Sequence, residues 1–496
     1  MTRHRFSTTF QAADTILRQR ARTPVTERRV LTRDEAITLA RTVLGMLSQS
    51  TDGVELDHRI LALTTITQNT RVRCVTTDHL TVSFTTRIGS DQLVRVGTDV
   101  RDVESLREVV QRAELRATPP LRPADVEDDP DDPRHVARSP CSYLPVSLWV
   151  EATHRAMGLL QGDAVPRVIA RMQASPFRCA GTLALMTRAT LRLYQEGMLA
   201  WGEETDSEVS VTARTPDGKG SGWHGAAHRD WRKLDVEGIV QAAIDMAALN
   251  RGPVRGEPGR YTAILSSAAV GALVAQMGRF FGFNMLGPLA VPDAGQGIRT
   301  KVGQRILDSR LTLSTDPSDP ECGEFPFFDD GYPSGKATWV AQGVLRTLAF
   351  DVARGMEYGV TPIKIPEAIR MTGGTTTLAE MIANCERGIY VNRFSGVDVV
   401  HAPSAAMSGT TRDGCFLIKN GKIATPVTNF RFYESPFFAF NKIRALGVPE
   451  RVAFGFQAFN RDRAWGDATD GWPHPPVIVP PMMVEDFNFA AMSDAV

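Results

Sequence analysis

The spacing of hydrophobic residues changes several times along the chain, and each change marks a different element. Over 32–48 the start Thr-Arg-Asp-Glu precedes apolar residues at helical intervals, which predicts a helix capped at its N-terminus. Over 70–96, Val, Thr and Phe recur at every second residue, the period of a strand. The pattern then predicts helices over 103–116, 154–160 and 164–172, strands over 181–193 and 207–215, and a helix over 235–248. From about Tyr261, short strands mix with helices at 268–280 and 378–385. After Gly388, strands punctuated by glycine dominate. Lys419-Asn420-Gly421-Lys422 predicts a two-residue hairpin turn, because Asn and Gly tolerate positive φ. The expected fold class is α+β, with α/β-mixed N-terminal domains followed by a β-rich C-terminal domain carrying a central helix.

Two stretches interrupt the periodic pattern. Residues 119–134 (PPLRPADVEDDPDDPR) are so rich in Pro and acid that they bury little, and Gly and Pro cluster again over 250–259 (NRGPVRGEPG). The expected organisation is an N-terminal α+β domain (1–118), an acidic linker (119–134), a middle α+β domain (135–255) and a C-terminal β-rich domain (256–496). A chain of 496 residues is long enough for two or three cores.

Composition narrows the partners. Lys+Arg and Asp+Glu each number 56, so no cationic excess exists to displace counterions from nucleic acid. The longest apolar stretch, 262–278, is too short and too polar to span a bilayer, and the opening MTRHRFSTTFQ lacks the apolar region of a secretory signal. The six cysteines form no CxxC pair, so neither a disulfide framework nor a zinc ribbon is expected, and a reducing cytoplasm is the simplest location.

Candidate chemistry is sparse. His224 and His228 are four residues apart, the spacing of a metal pair on a helix, but the adjacent Gly218–Gly222 run favours a loop or strand end with surface histidines. Glu151 and His154 make one ExxH, whereas carboxylate di-iron sites need two and further carboxylates. Asp329 and Asp330 before Gly331 suit either a metal or acid–base site or an ordinary turn. No HExxH, GxSxG or phosphate-binding loop occurs.

Five stretches in order resemble the TldD/PmbA family, whose members form the TldD/TldE metalloprotease complex. They are 257–265 (EPGRYTAIL) running into Ala268-Ala269-Val270; Phe328-Asp329-Asp330-Gly331 followed by 342–345 (QGVL); 387–390 (RGIY) with Gly396; 414–423 (GCFLIKNGKI); and 480–489 (PPMMVEDFNF). The resemblance covers most of the chain and is strongest from about Pro258 onward. It implies that active members carry HExxxH on the central helix, with a cysteine near the C-terminus as third zinc ligand. Histidines five apart on a straight helix are separated by roughly 140° of rotation, so that motif needs a local distortion. In this chain the matching positions hold Ala275, Gln276 and Phe280. A methyl and a phenyl ring cannot bind zinc, and a neutral amide cannot act as the base. No histidine lies between His228 and His401, and Cys415 is the last cysteine, so no register of the helix supplies the set.

What the resemblance implies is therefore a catalytically silent, TldE/PmbA-like subunit with no catalytic residue, cofactor or metal of its own. It would pair with a TldD-like, zinc-bearing subunit in a heterodimer that processes small or unfolded peptides, as in peptide maturation. The strands over 388–423 are where an extended peptide would add to a sheet edge. Two alternatives stand beside this reading. One is a stand-alone homodimer that binds a peptide or small molecule. The other is a hydrolase with a relocated metal site among Asp329, Asp330, His224, His228 and His401.

Overall fold

The computed structural model describes residues 2–46, 51–88, 92–100, 102, 104–108, 140–159, 162–283, 286–293, 297–329, 331–455 and 475–493. The proposed linker 119–134 and the 109–116 part of the predicted 103–116 helix lie outside them, while 104–108 is helical.

The N-terminal half is one antiparallel sheet with helices against it. Helices α1 (Thr2–Arg22) and α2 (Arg33–Leu44) precede strands β1 (Thr51–Thr67), β2 (Arg71–Ile88) and β3 (Gln92–Asp99). Helices α3 (Glu151–Ala156) and α4 (Ala164–Gln173) lead into β4 (Arg178–Tyr194), β5 (Leu199–Arg214) and β6 (Ser221–His228), and α5 (Val236–Leu249) closes the half. The start of α2 is the predicted capping box. Thr32 accepts from the Glu35 N–H, and the Glu35 carboxylate accepts from the Thr32 N–H at 2.8 Å.

The strand order is β3-β2-β1-β4-β5-β6. β1 pairs with β4 from Gly53 opposite Tyr194 to Ile66 opposite Gly181, so segments on either side of 119–134 contribute to one sheet. β1 is not among the predicted strands, because Asp57, His58 and Arg59 break its apolar run. In the sheet His58 joins Val54, Leu56, Ile60, Ala62 and Ile66 in being fully buried, while Asp57 and Arg59 alternate with them in only partly covered positions.

Helix α5 packs on β6 at Gly222, where an added Cβ would lie 2.2 Å from the Ala247 nitrogen and 2.5 Å from the Ala243 oxygen. Backbone cannot retract as a side chain can. Gly222→Ala is therefore expected to cost about 1–3 kcal/mol in urea denaturation.

The C-terminal half holds a closed barrel and a second sheet. β7 (Gly259–Leu265) runs into α6 (Ser267–Met277), followed by β8 (Ala290–Asp293), β9 (Gly297–Thr300), β10 (Leu313–Thr315), β11 (Ala337–Ala341), β12 (Val344–Leu345) and α7 (Val352–Glu357). Next come β13 (Ile369–Met371), α8 (Leu378–Ala383), β14 (Arg387–His401), β15 (Ala406–Lys419), β16 (Lys422–Pro426), β17 (Phe430–Glu434), α9 (Pro436–Ala439), β18 (Ile443–Leu446), β19 (Glu450–Arg451), β20 (Val477–Val479) and β21 (Met482–Met492). The ring β14-β7-β21-β17-β15 closes because β15 also pairs with β14. β16 and β18 attach to it from outside. The ring shelters Phe394, Phe432, Phe487 and Phe489, whose aromatic contacts interlock. The predicted hairpin joins β15 to β16, with Asn420 at φ 50° and Gly421 at φ 73°. The second sheet has the order β12-β11-β10-β13-β20-β19. The molecule is α+β, as its sequence pattern implies. Among the described residues no helix is long and apolar enough to cross a membrane.

Candidate functional site

Helix α6 connects barrel strand β7 to the second sheet, and its sequence explains its depth. Ser266 caps it, accepting from the Ala269 N–H at 3.2 Å. The run Ala269, Val270, Leu273, Val274 and Met277 is fully buried, because α6 packs against both β14 and β20. The predicted helix 268–280 is α-helical only to Met277 and tightens into a 3-10 turn over Gly278–Phe281. Ala275 and Phe280 thus straddle a change of helical pitch.

None of the three residues that the sequence resemblance sets against HExxxH offers a zinc ligand. Ala275 packs against the apolar core. Phe280 is 1% exposed, edge-on to Phe437 with ring centroids 6.3 Å apart. The backbone at Gly287 comes so near that an added Cβ would sit 2.6 Å from the Phe280 ring. Gln276 donates from Nε2 to the Val397 carbonyl at 3.2 Å and accepts from Arg279 Nη1 at 3.5 Å. Its amide holds the distal end of β14 against the helix, a role that needs a donor. Cys415 lies in β15, fully buried, with its thiol pushed up to about 12 by burial. These side chains do not fit zinc.

The other sequence candidates stay apart. His224 and His228 lie on strand β6, where four residues place their Cα atoms about 13 Å apart. His224 is exposed and His228 half-buried, partial desolvation by the surrounding protein lowers the pKa of both imidazoles, and His228 faces the Glu321 carboxylate at 3.8 Å. Glu151 pairs with Arg155 at 3.1 Å and accepts from Trp149 at 3.0 Å, a local surface arrangement on α3. Asp329 belongs to a turn closed by the Gly331 N–H donating to the Phe328 carbonyl, and its own carbonyl accepts from Arg192 Nε at 2.7 Å. Asp330 lies outside the described residues. His401 is exposed at the end of β14, 2.8 Å from Ser404 Oγ. Among the described residues no group of three His, Cys, Asp or Glu side chains is placed to hold a metal ion.

The model of the PmbA/TldA metallopeptidase C-terminal domain matches residues 258–491, the span that contains the barrel, α6 and the second sheet. This C-terminal half belongs to the TldD/PmbA family. In addition, 246 residues are 23% identical to a Metalloprotease TldD homolog of Buchnera aphidicola subsp. Acyrthosiphon pisum, covering 47% of the chain and 50% of that protein. A Metalloprotease of Archaeoglobus fulgidus is 24% identical over 142 residues, 26% of the chain and 33% of that protein. The chain thus spans half the length of the first curated relative and a third of the second. The crystal structure of TldE from Thermococcus kodakarensis superimposes with a TM-score of 0.69 at 17% identity, covering 91% of this chain and 99% of that one. A putative modulator of DNA gyrase from Bacteroides thetaiotaomicron gives the same score and identity over 93% of this chain and 100% of its own. At such identity the likeness is one of fold, and it extends to the N-terminal half that the domain match leaves out.

Polar residues that sequence reading did not single out join the two halves of the molecule. Arg229, 2% exposed, donates to the Gly323 carbonyl at 2.5 Å and pairs with Glu204 at 3.3 Å. Asn392 of β14 donates to the Trp223 carbonyl at 2.9 Å, and Arg393 stacks over the Trp223 ring with its guanidinium carbon 4.9 Å from the centroid. Asp206 pairs with Arg451 across the same junction. In sequence these look like solvated surface charges, and only the tertiary pairing distinguishes them.

Proposed function

We propose that the chain is a non-catalytic, TldE/PmbA-like subunit of a TldD/TldE-type peptidase complex, and that it pairs with a TldD-like partner which carries the zinc and the base. The observation that carries this reading is the chemistry of α6. Ala275 and Phe280 stand where the family's histidines belong, Gln276 where its glutamate belongs, and all three are engaged in packing or in holding β14. A subunit built this way contributes shape: it walls a compartment, excludes folded proteins and offers strand edges to an extended peptide. Strand β16, which continues the 388–423 hairpin, is paired with β15 and meets Val254 at its Pro426 end, and its remaining edge is the candidate place for such addition.

The test is co-expression with a homologue that retains HExxxH, followed by size-exclusion chromatography and peptide hydrolysis. The expected result is a stable mixed complex whose activity is removed by a chelator, with no hydrolysis by this chain alone. Chelator-sensitive hydrolysis by the purified chain, or a homodimer indifferent to the homologue, would overturn the assignment.

A further inference from the structure

A short strap, residues 450–455, runs between the N-terminal sheet and α6 and touches both. On the helix side, Ser267 Oγ donates to the Glu450 carboxylate at 3.1 Å, and Val452 lies over Gly271, where an added Cβ would come within 2.8 Å of its methyl. On the sheet side, Arg451 pairs with Asp206 and donates to the Glu321 carbonyl at 3.2 Å, while Ala453 abuts Gly225. One carboxyl engages residues 454 and 455 of the strap. Glu208 of β5 accepts the Gly455 N–H at 2.9 Å and the Phe454 N–H at 3.3 Å. We infer that Glu208 is a protonation-controlled latch on this strap, fastening the N-terminal sheet to α6 most firmly when its carboxyl is neutral and less firmly once it is ionised.

The charges around Glu208 explain the direction. It is buried, and Arg451 of the strap, whose charge acts on it, is already engaged by Asp206. Asp206 stands two residues earlier on the same face of β5, so ionising Glu208 places a second carboxylate beside the first. From β14 and β15, Arg393 approaches Gly455 but is paired with Asp413. From the end of β6, His228 feels both Arg451 and Asp206. Burial pushes the Glu208 carboxyl up to about 7, opposed by the two backbone N–H groups, raised further by Asp206 and lowered by Arg451.

A raised carboxyl in the closed state favours closure fully at low pH. That advantage is lost between the ordinary value of 4.5 and about 7, and the loss levels off above 7. Over most of that window the opening constant grows roughly tenfold per pH unit. His228 acts in the opposite sense, since its lowered pKa costs closure as pH falls through its ordinary range. The inference does not depend on which partner the chain takes.

The experiment is native-state hydrogen exchange of the Phe454 and Gly455 amides in the full chain from pH 5 to 8, corrected for intrinsic exchange. Wild type is expected to open roughly 10- to 100-fold more at pH 7 than at pH 5 and to level off above. Glu208→Gln, which cannot ionise, is expected to lose that slope. A slope unchanged in Glu208→Gln, or a flat wild-type profile, overturns the latch. If Glu208→Gln does not fold, the carboxyl carbon of Glu208 in the wild type, assigned through Glu208→Asp, decides. A midpoint above 6 supports the inference and one below 6 overturns it.

Discussion

The triple substitution Ala275→His, Gln276→Glu, Phe280→His, which writes the family's zinc motif into α6, is expected to leave the chain without stoichiometric zinc. It is also expected to destabilise the chain by about 3–5 kcal/mol. Phe280 fills a closed space against Phe437 and the Gly287 backbone, so a smaller polar ring leaves both a void and an unpaired nitrogen. Glutamate at 276 sets a carboxylate oxygen against the Val397 carbonyl that the amide now serves, a loss of about 1–3 kcal/mol. The third ligand is still missing, because Cys415 is sealed inside the barrel with a thiol that stays protonated at neutral pH. Elemental analysis and urea denaturation check both halves of the expectation. Tight zinc binding with unchanged stability would show that the helix end is open rather than packed.

How much of this was legible in the sequence depends on how local the information is. The Thr32–Glu35 cap and the Asn420–Gly421 turn are written within a few residues, and both stand where the pattern puts them. The expectation that Ala275, Gln276 and Phe280 replace the zinc motif is equally local, since it needs only the register of one helix. β1 is not legible because its Asp57-His58-Arg59 interruption makes sense only with distant partners. Asp57 pairs with Arg188 of β4 at 2.7 Å, and His58 meets Asp78 of β2 at 3.1 Å. The barrel is hidden for the same reason, as β7 and β21 pair from opposite ends of the C-terminal half. Glu208 is the sharpest case. The stretch Glu203-Glu204-Thr205-Asp206-Ser207-Glu208 looks like a solvated strand, yet Glu204 is met by Arg188 and Arg229, Asp206 by Arg451, and Glu208 by the Phe454 and Gly455 N–H groups from elsewhere in the chain.

Asp78→Ala is expected to destabilise the N-terminal half by about 3–5 kcal/mol, because it removes the one anion from a cluster of buried cations. Asp78 accepts from Arg28 Nη1 at 2.7 Å, pairs with Arg20 and accepts from His58 Nε2 at 3.1 Å. The other imidazole nitrogen, Nδ1, accepts the Leu31 N–H at 2.7 Å, so Nε2 carries the proton and His58 is neutral. The cluster therefore ties α1 and the 23–31 connection to the sheet through a single carboxylate. Burial opposes its ionisation, but the His58 hydrogen bond and Arg20 hold it well below the usual carboxylate range. Burial pushes the His58 imidazole down to about 4, with Arg20 adding to the fall. A lowered imidazole contributes stability that is present above its ordinary value of 6.5 and lost as pH falls toward 4, about 3 kcal/mol for this group. Asp78's own contribution, with its pKa lowered, is lost only as pH falls below the ordinary 3.8. Urea denaturation of Asp78→Ala at pH 7 measures the first effect, and the imidazole resonances of His58 measure the second. A His58 that is half protonated near 6.5, or an Asp78→Ala chain within 1 kcal/mol of wild type (roughly the scatter for an ordinary surface pair), would mean that the cluster is solvated and does not clamp α1 to the sheet.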